Sequence, residues 1–233
     1  MPEGRRRALY FSTMRTKANN MRSPQQSRSV ESLERCLDAT EELIRERGFA
    51  NVTVVEVVKR ANFSVGGLYT RFHNKAALLD AVMERFWHRT EDAFTARLRA
   101  EEQPDESLGQ LGERIVRTLV EHLLSDRLVL RAFILESASN PRLHISEMAT
   151  EERRKHVCAA LLSHRDEIGH DDPEYAVRWF YAVCMAVIRE RVVHGEKALI
   201  AGGFDDEQLI TELTGIMTGY LAGHRSSLAG HSI

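Results

Sequence analysis

The chain has 233 residues, of which 43% are hydrophobic and 28% charged, and its formal net charge is −2. This length and composition exclude a largely disordered chain and favour a soluble, helix-rich globular protein. No apolar run approaches the length of a membrane span, and Ala8 to Phe11 is too short for the apolar core of a signal peptide. We therefore expect a cytoplasmic protein without a membrane partner.

The cysteine and histidine positions argue against a disulfide framework or a metal site. Cys36, Cys158 and Cys184 are an odd number of cysteines at wide spacings, which favours reduced core residues. His164 and His170 lie near two aspartates, but no pair has the i, i+4 spacing of a helical zinc motif. The sequence also lacks a nucleophile elbow and a phosphate-binding glycine loop. We expect no catalytic residues, no metal and no cofactor.

Charge is distributed unevenly along the chain. Residues 1–28 hold seven basic side chains and one acidic side chain, whereas residues 81–233 carry a net charge of −7. This asymmetry is typical of a protein that offers one end to a polyanion. The polar segment 1–28 predicts a disordered basic arm. It is either a simple leader, with Met14 or Met21 as the true start, or an arm that contacts DNA phosphates or the minor groove.

Residues 53–75 predict two short helices joined by a tight corner. Thr53 is an N-cap candidate for the first helix, with Glu56 at the capping-box spacing. Asn62 lies at the corner, where the chain needs the left-handed conformation that Asn tolerates. Ser64 is an N-cap candidate for the second helix, whose first turn holds two glycines. Such a weak first turn suits a helix end that approaches DNA closely, as in a helix-turn-helix.

This segment resembles the DNA-binding end of TetR-family transcriptional regulators over about residues 28–83. The shared pattern comprises Thr53, Ala61, Ser64, Val65, Gly66, Leu68, Tyr69, Phe72, Lys75, Leu78 and Leu79. The chain departs from the family pattern at Asn62 for Gly, at Phe63 for Val and at Val57-Val58 for Ile-Ala. The first two departures are compatible with the same corner and core. The rest of the chain resembles the family in length and helical content.

The resemblance implies a set of DNA contacts. The hydroxyls of Thr53 and Tyr69 are expected to reach phosphates, and Lys75 to place a charge at the start of the fourth helix. Two glycines leave little direct hydrogen-bond readout, so a Val65 contact to a thymine methyl and close backbone approach remain. Arg60 is a weaker candidate, and Tyr69 has ordinary packing as an alternative role. The predicted DNA-contacting residues are Thr53, Ser64, Val65, Gly66, Gly67, Tyr69, Thr70, Arg71, His73 and Lys75.

Helical apolar spacing continues through the rest of the chain, and no strand pattern occurs. We predict a first helix from Ser29 to Arg47 and a long fourth helix, capped by Asn74, that ends near Ala100. Further helices are predicted at about 108–123, 128–138, 146–165, 173–194 and 206–221. The predicted fold is all-α, with a basic arm at 1–28, a helix-turn-helix DNA-binding domain at 29–80, an effector-binding and dimerisation domain at 81–224, and a flexible tail at 225–233.

The larger domain offers candidates for ligand binding and for pairing of two copies. Phe133, Trp179, Tyr181 and Met185 are candidates to line a cavity for a small, partly apolar effector; plain core or dimer contact is their alternative role. The helices at about 173–194 and 206–223 are apolar on more than one side, which favours a homodimer over the alternative that both are core. Gly215 and Gly219 would admit a partner helix closely.

These observations predict a ligand-responsive transcriptional regulator, most simply a repressor, that binds a near-palindromic double-stranded DNA operator as a homodimer. An effector in the larger domain is expected to shift the fourth helix and change the separation of the recognition helices. Two alternatives remain open. One is a helical carrier of apolar ligands whose helix-turn-helix is only structural, and the other is a regulator of the same type without an effector.

Overall fold

The computed structural model describes residues 24–101, 103, 105–139, 145–197 and 203–223, and these contain nine α-helices and no strand. The predicted all-α fold is therefore confirmed. None of the described helices is long and apolar enough to cross a membrane. The helices are α1 (Pro24–Arg47), α2 (Val54–Arg60), α3 (Val65–Arg71), α4 (Lys75–Ala100), α5 (Leu108–Ser125), α6 (Arg127–Ser139), α7 (Ile145–Leu162), α8 (Pro173–His194) and α9 (Asp206–Leu221).

Helix α1 begins earlier than the sequence predicts. We assigned residues 24–28 to a disordered arm, but they form the first turns of α1, which starts at Pro24. Proline is well tolerated at the first helical position because its missing N–H would have no partner there, and the two glutamines that follow are good helix formers. The rest of the predicted arm, residues 1–23, and the predicted tail, 225–233, lie outside the described residues.

Capping residues fix the ends of the helices around the corner and beyond, among them Ser64 and Asn74, which the sequence predicts in this role. Side-chain oxygens of Ser64, Asn74 and Asp172 each accept a hydrogen bond from the backbone N–H three residues further on, at 2.8–3.0 Å. Asn62 adopts the left-handed conformation at the corner, with φ of 49°. Gly195 ends α8 with φ of 61°. These local signals place the short helices within a residue of their predicted bounds.

An aromatic cluster joins the DNA-binding end to the larger domain. The ring of Phe133 on α6 packs edge-on against Phe49, with 5.3 Å between centroids, and against Phe86 on α4, with 5.1 Å. Phe86 and Phe133 are nearly inaccessible to solvent. Since Phe49 follows α1, the two parts of the chain share one continuous hydrophobic core.

A buried carboxylate stabilises the same junction. Glu41 on α1 is only 5% exposed and accepts hydrogen bonds from Arg89 at 2.7 Å and 3.1 Å, from Arg85 at 3.3 Å and from Arg45 at 3.2 Å. Arg45 also donates to Asp126, the residue between α5 and α6, at 2.9 Å. Helices α1 and α4 and the α5–α6 corner are thereby held in one ionic network, which we call the Glu41 network.

The larger domain is a bundle in which α8 packs against α5, α6, α7 and α9. Helices α5 and α9 are in close contact: a Cβ at Gly112 would lie 1.7 Å from the terminal carbon of Met217. All three cysteines are buried and unpaired, and Cys184 lies at the centre of α8. They are therefore core residues of separate helices and form no disulfide.

Candidate DNA-binding interface

Helix α3 presents one face to the core and the other to solvent. Leu68 is fully buried and fixes the inner face of α3 in the hydrophobic core, whereas Val65 is 45% and Tyr69 48% exposed. Gly66 and Thr70 are also exposed, on the same outer face. Large apolar and aromatic side chains exposed this way at a helix N-terminus mark a contact surface for another molecule. The structure thus brings Val65, Gly66, Tyr69 and Thr70 together as predicted.

The two glycines of α3 occupy different environments. Nothing lies within 4 Å of a Cβ built on Gly66, so its backbone is open to an approaching partner. A Cβ on Gly67 would lie 2.8 Å from the capping hydroxyl of Ser64 and 3.1 Å from the ring of Phe63. Gly67 is therefore required by the packing of the corner itself. Of the two, Gly66 is the one that permits close approach from outside.

The hydroxyls of the predicted threonine contacts already have partners. Thr70 donates to the backbone carbonyl of Gly66 at 2.9 Å, and Thr53 donates to the carboxylate of Glu56 at 2.7 Å. Thr53 also accepts from the N–H of Glu56 at 3.3 Å, so it caps α2 as predicted. To bind a phosphate as a donor, either threonine must give up its present partner, while each hydroxyl oxygen can still accept a hydrogen bond.

Positively charged side chains surround α3 at its C-terminal end. Lys75 donates to the carbonyl of Ala50 at 3.4 Å, a long bond that a phosphate can replace. The guanidinium of Arg71 lies 5.2 Å from the ring centroid of Phe63, and His73 is exposed. Arg60, a weaker candidate, is instead held by both carboxylate oxygens of Glu46, at 2.6 Å and 3.1 Å.

Sequence reasoning missed the role of Phe63. Its ring packs over Gly67 and under Arg71, so this one side chain supports both the start and the end of α3. The sequence offered one signal for this role, the Phe that replaces the family's Val at this corner position. A larger side chain there must pack against neighbouring residues. The small residue at position 67 and the position of Arg71 on α3 match that larger ring.

The four predicted ligand-contacting residues do not share a cavity. Phe133 belongs to the aromatic cluster at the junction, and Tyr181 is 3% exposed between α7 and α4. Met185 is half-buried against the core, whereas Trp179 is 52% exposed and stacks on Tyr175 with 6.4 Å between ring centroids. Trp179 therefore lies on the outside of the bundle and does not line an enclosed cavity.

A cleft of about 310 Å³ opens between α4, α5 and α7. We call it the α4–α5–α7 cleft. Its wall holds both polar and apolar groups and includes Thr95 and Arg99 from α4, Arg114 from α5 and His156 from α7. Arg114 is held by the carboxylate of Glu106 and by the carbonyl of Leu98, so it belongs to the wall as a paired cation. None of the four predicted ligand residues lines this cleft.

Comparison with known protein families follows the same division of the chain. The family model for bacterial regulatory proteins of the tetR family matches residues 37–82, which contain α2 and α3. A second model, for the C-terminal domain of tetracyclin repressor-like proteins, matches residues 107–221, the larger domain. The chain belongs to the TetR family of transcriptional regulators. The resemblance seen in residues 28–83 is thus confirmed, and similarity to the family extends to residues 107–221.

Solved structures of TetR-family proteins share this fold. A TetR-family transcriptional regulator from Mesorhizobium loti superposes with a TM-score of 0.64 at 16% identity, covering 84% of this chain and 97% of the other. One from Rhodococcus sp. gives 0.62 at 17% identity, covering 83% and 100%. The fatty acid degradation regulator FadR of Bacillus halodurans gives 0.61 at 17%, covering 88% and 99%. No curated protein is significantly similar to the sequence.

For this TetR-family protein, changing Tyr69 to Phe and Lys75 to Ala together is expected to weaken DNA binding without lowering the thermal midpoint. Tyr69 is 48% exposed and Lys75 makes one long hydrogen bond, so neither supports the core. Removing the positive charge of Lys75 should reduce the slope of log affinity against log salt by about 1, and removing the hydroxyl of Tyr69 should lower the affinity further. Fluorescence anisotropy across a salt series measures both quantities. Unchanged affinity and slope would show that DNA binds another surface.

Proposed function

We propose that the protein is a homodimeric, ligand-responsive repressor that binds a near-palindromic operator and releases it when a small effector occupies the larger domain. The exposed outer face of α3 is the observation that carries the DNA-binding part of this proposal. It combines an open backbone at Gly66 with the exposed side chains of Val65, in the first turn of the helix, and Tyr69, one turn further on.

The dimer is supported by an exposed face shared by α8 and α9. Tyr175 and Trp179 on α8 are 53% and 52% exposed, and their rings are nearly parallel, at 4°. Ile216 on α9 is 53% exposed, and Cβ atoms built on Gly215 and Gly219 meet nothing within 4 Å. Large apolar side chains beside small residues favour close packing against a second helix pair. Two copies joined here present two recognition helices to two operator half-sites.

The same face predicts how the dimer can be broken. Changing Trp179 and Ile216 to Glu together is expected to dissociate it, since an interfacial tryptophan alone typically contributes at least about 2 kcal/mol. Changing Leu128 on α6 to Glu is the matched control, because that side chain is 51% exposed but lies on a different helix. Sedimentation equilibrium should give a monomer for the double variant and a dimer for the control. A dimeric double variant would place the interface elsewhere.

Effector control is supported by the position of α4. Its first residue, Lys75, lies four residues after the end of α3, and its last turns line the α4–α5–α7 cleft. A ligand that favours one position of α4 therefore favours one position of α3. A coupling free energy of about 1–3 kcal/mol between two such sites changes operator affinity about 5- to 150-fold.

Footprinting on genomic fragments tests the proposed function, beginning with the DNA upstream of the protein's own gene. We expect a protected near-palindrome and an affinity that falls steeply with salt. Weak binding without sequence preference would favour a carrier in which the helix-turn-helix is only structural. Specific binding that no small molecule alters would favour a regulator without an effector.

A further inference from the structure

A cluster of polar side chains is buried in the middle of the larger domain. Arg153 on α7 is 1% exposed, although arginine is among the residues least often buried completely. Its guanidinium lies 3.0 Å from the carboxylate of Glu91 on α4. His122 on α5 and Trp87 on α4 complete what we call the Arg153 cluster. His122 contacts the ring of Phe94, over which Arg153 stacks.

Most of the polar atoms in this cluster lack a hydrogen bond. Among the described residues, nine buried side-chain nitrogen and oxygen atoms have no hydrogen-bond partner, and six of them belong to the Arg153 cluster. Two of these six, Arg153 Nη2 and a carboxylate oxygen of Glu91, face each other as an ion pair at 3.0 Å. The six are Trp87 Nε1, both carboxylate oxygens of Glu91, His122 Nε2, and Arg153 Nε and Nη2. Each such atom destabilises a folded protein by about 1–3 kcal/mol, so native proteins contain few of them. Their concentration at one place indicates a site for a polar ligand.

The orientation of the Arg153 guanidinium indicates which chemical group of a ligand it can bind. The face of the guanidinium is covered, since its central carbon lies 5.2 Å from the ring centroid of Phe94. The two unpartnered nitrogens, Nε and Nη2, form one edge of the group. That edge binds a carboxylate through two parallel hydrogen bonds. Glu91 occupies this edge only in part, because its carboxylate lies 3.0 Å from Nη2 and makes no hydrogen bond with Nε.

The charges of the cluster favour an anion over a cation. Burial raises the pKa of the Glu91 carboxyl, despite the opposing charges of Arg153 and His156. Burial also lowers the pKa of His122 to about 4, with the charge of Arg153 acting in the same direction, so this imidazole is neutral at pH 7. Arg153 cannot give up its proton. Arg153 therefore offers a fixed positive charge, and the Glu91 carboxyl beside it takes up a proton more readily than an ordinary glutamate.

His156 connects the cluster to the α4–α5–α7 cleft. It lines the cleft, is 44% exposed, and its Nδ1 lies 3.9 Å from a carboxylate oxygen of Glu91. Thr95, one turn after Glu91 on α4, lines the same wall. A volume of about 310 Å³ is at the lower end for ligand sites, which are about 300–1,000 Å³. The cleft thus suits a compound with one ring or a short chain.

We propose that the effector is a small, partly apolar monocarboxylate that enters through this cleft and binds Arg153 with its carboxylate. This proposal rests on the proposed function only in calling the ligand an effector. The chemistry of the ligand is inferred from the Arg153 cluster. Binding would supply acceptors to Nε and Nη2 of Arg153, and rotation of His156 would open the path from the cleft. The ligand would bridge α4 and α7. It would therefore act directly on the position of α4, the helix that connects to the DNA-binding end.

Calorimetry and thermal shift on the full chain test this proposal with benzoate and hexanoate as probes and their neutral amides, benzamide and hexanamide, as controls. We expect at least one carboxylate to bind and raise the melting temperature, and its amide to have no effect. Arg153→Met should weaken carboxylate binding by about 10- to 100-fold, as for a lost charge-assisted pair. Glu91→Gln should strengthen it, because the variant removes the carboxyl that competes with the ligand for Nη2 of Arg153.

Arg154→Met is the matched control, since Arg154 is the next residue on α7 and pairs with Glu151. It should bind the carboxylate as the wild type does. If no carboxylate binds, if the amides bind equally well, or if Glu91→Gln weakens binding, the proposal is wrong. Glu91→Gln decides the question even where Arg153→Met does not fold. Operator binding without any probe is measured in parallel, because its absence would contradict the proposed function and leave carboxylate binding unaffected.

Discussion

Replacing Glu41 with Gln is expected to lower the free energy of unfolding by about 3 kcal/mol. Breaking a buried ion pair costs roughly 3–5 kcal/mol, and the lower end applies because Arg45 and Arg89 still reach solvent. The carboxylate itself is 5% exposed and receives hydrogen bonds from three arginines. Chemical denaturation measures the loss. A change below about 1 kcal/mol would mean that the Glu41 network does not hold α1 to α4.

Helix α1 supplies a matched control for this variant. Glu34 also bonds Arg85, at 2.9 Å, but its side chain is 51% exposed. Changing Glu34 to Gln is expected to cost less than about 1 kcal/mol, as for other surface pairs. The contrast between two glutamates on the same helix separates the effect of burial from the loss of one charge.

The Glu41 network also predicts how stability depends on pH. Burial alone would raise the pKa of the Glu41 carboxyl, but the hydrogen bond from Arg89 and the charges of Arg89, Arg85 and Arg45 hold it below its ordinary value. A carboxyl whose pKa is lower in the folded state stabilises the protein fully above its unfolded-state pKa. The difference between wild type and Glu41→Gln should therefore be constant near neutral pH and shrink as the pH falls through the folded-state pKa.

Changing Gly66 to Ala is expected to stabilise the protein and weaken operator binding at the same time. An alanine in a helix is favoured over glycine by up to about 1 kcal/mol, and the added methyl meets nothing within 4 Å. On DNA, that methyl would separate the backbone of α3 from the bases. We expect an affinity loss of about tenfold or more, equivalent to about 1.4 kcal/mol. Denaturation and operator titration measure the two effects independently.

Gly67 is the neighbouring control for this prediction. An added methyl there meets the hydroxyl of Ser64 at 2.8 Å and the ring of Phe63 at 3.1 Å. Disturbing an N-cap costs about 1 kcal/mol, which offsets the gain in helix propensity. The Gly67→Ala variant should therefore be less stable than Gly66→Ala by about 1 kcal/mol or more. Equal stabilities would show that the corner packs differently.

Local sequence signals were sufficient to predict where most of the helices begin and end. The N-caps at Ser64, Asn74 and Asp172 act through hydrogen bonds within three residues, so the residues that form them are adjacent in the sequence. The start of α1 was mispredicted because the polar composition of residues 24–28 outweighed a favourable proline at the first helical position. Composition is a weak guide where a short polar segment continues an amphipathic helix.

Contacts between distant segments were not predictable from spacing. Arg153 and Glu91 come from α7 and α4, and neither has a neighbour in the sequence that marks it as buried. The aromatic residues proposed as ligand contacts were chosen for their type, but packing placed Phe133 at the junction and Trp179 on the surface. Which face of a helix is covered depends on neighbours that only the folded chain brings together.

Helix α4 is the longest described helix and joins the DNA-binding end to the larger domain. Its 26 residues correspond to a rod about 39 Å long. A tilt of about 5° about its C-terminal end moves the N-terminal end by about 3.4 Å. In a two-fold dimer, opposite movements of two such rods change the distance between recognition helices by as much as about 7 Å, against a half-site spacing of about 34–36 Å. A displacement too small to disturb the core is therefore large enough to take both helices out of register with the major groove.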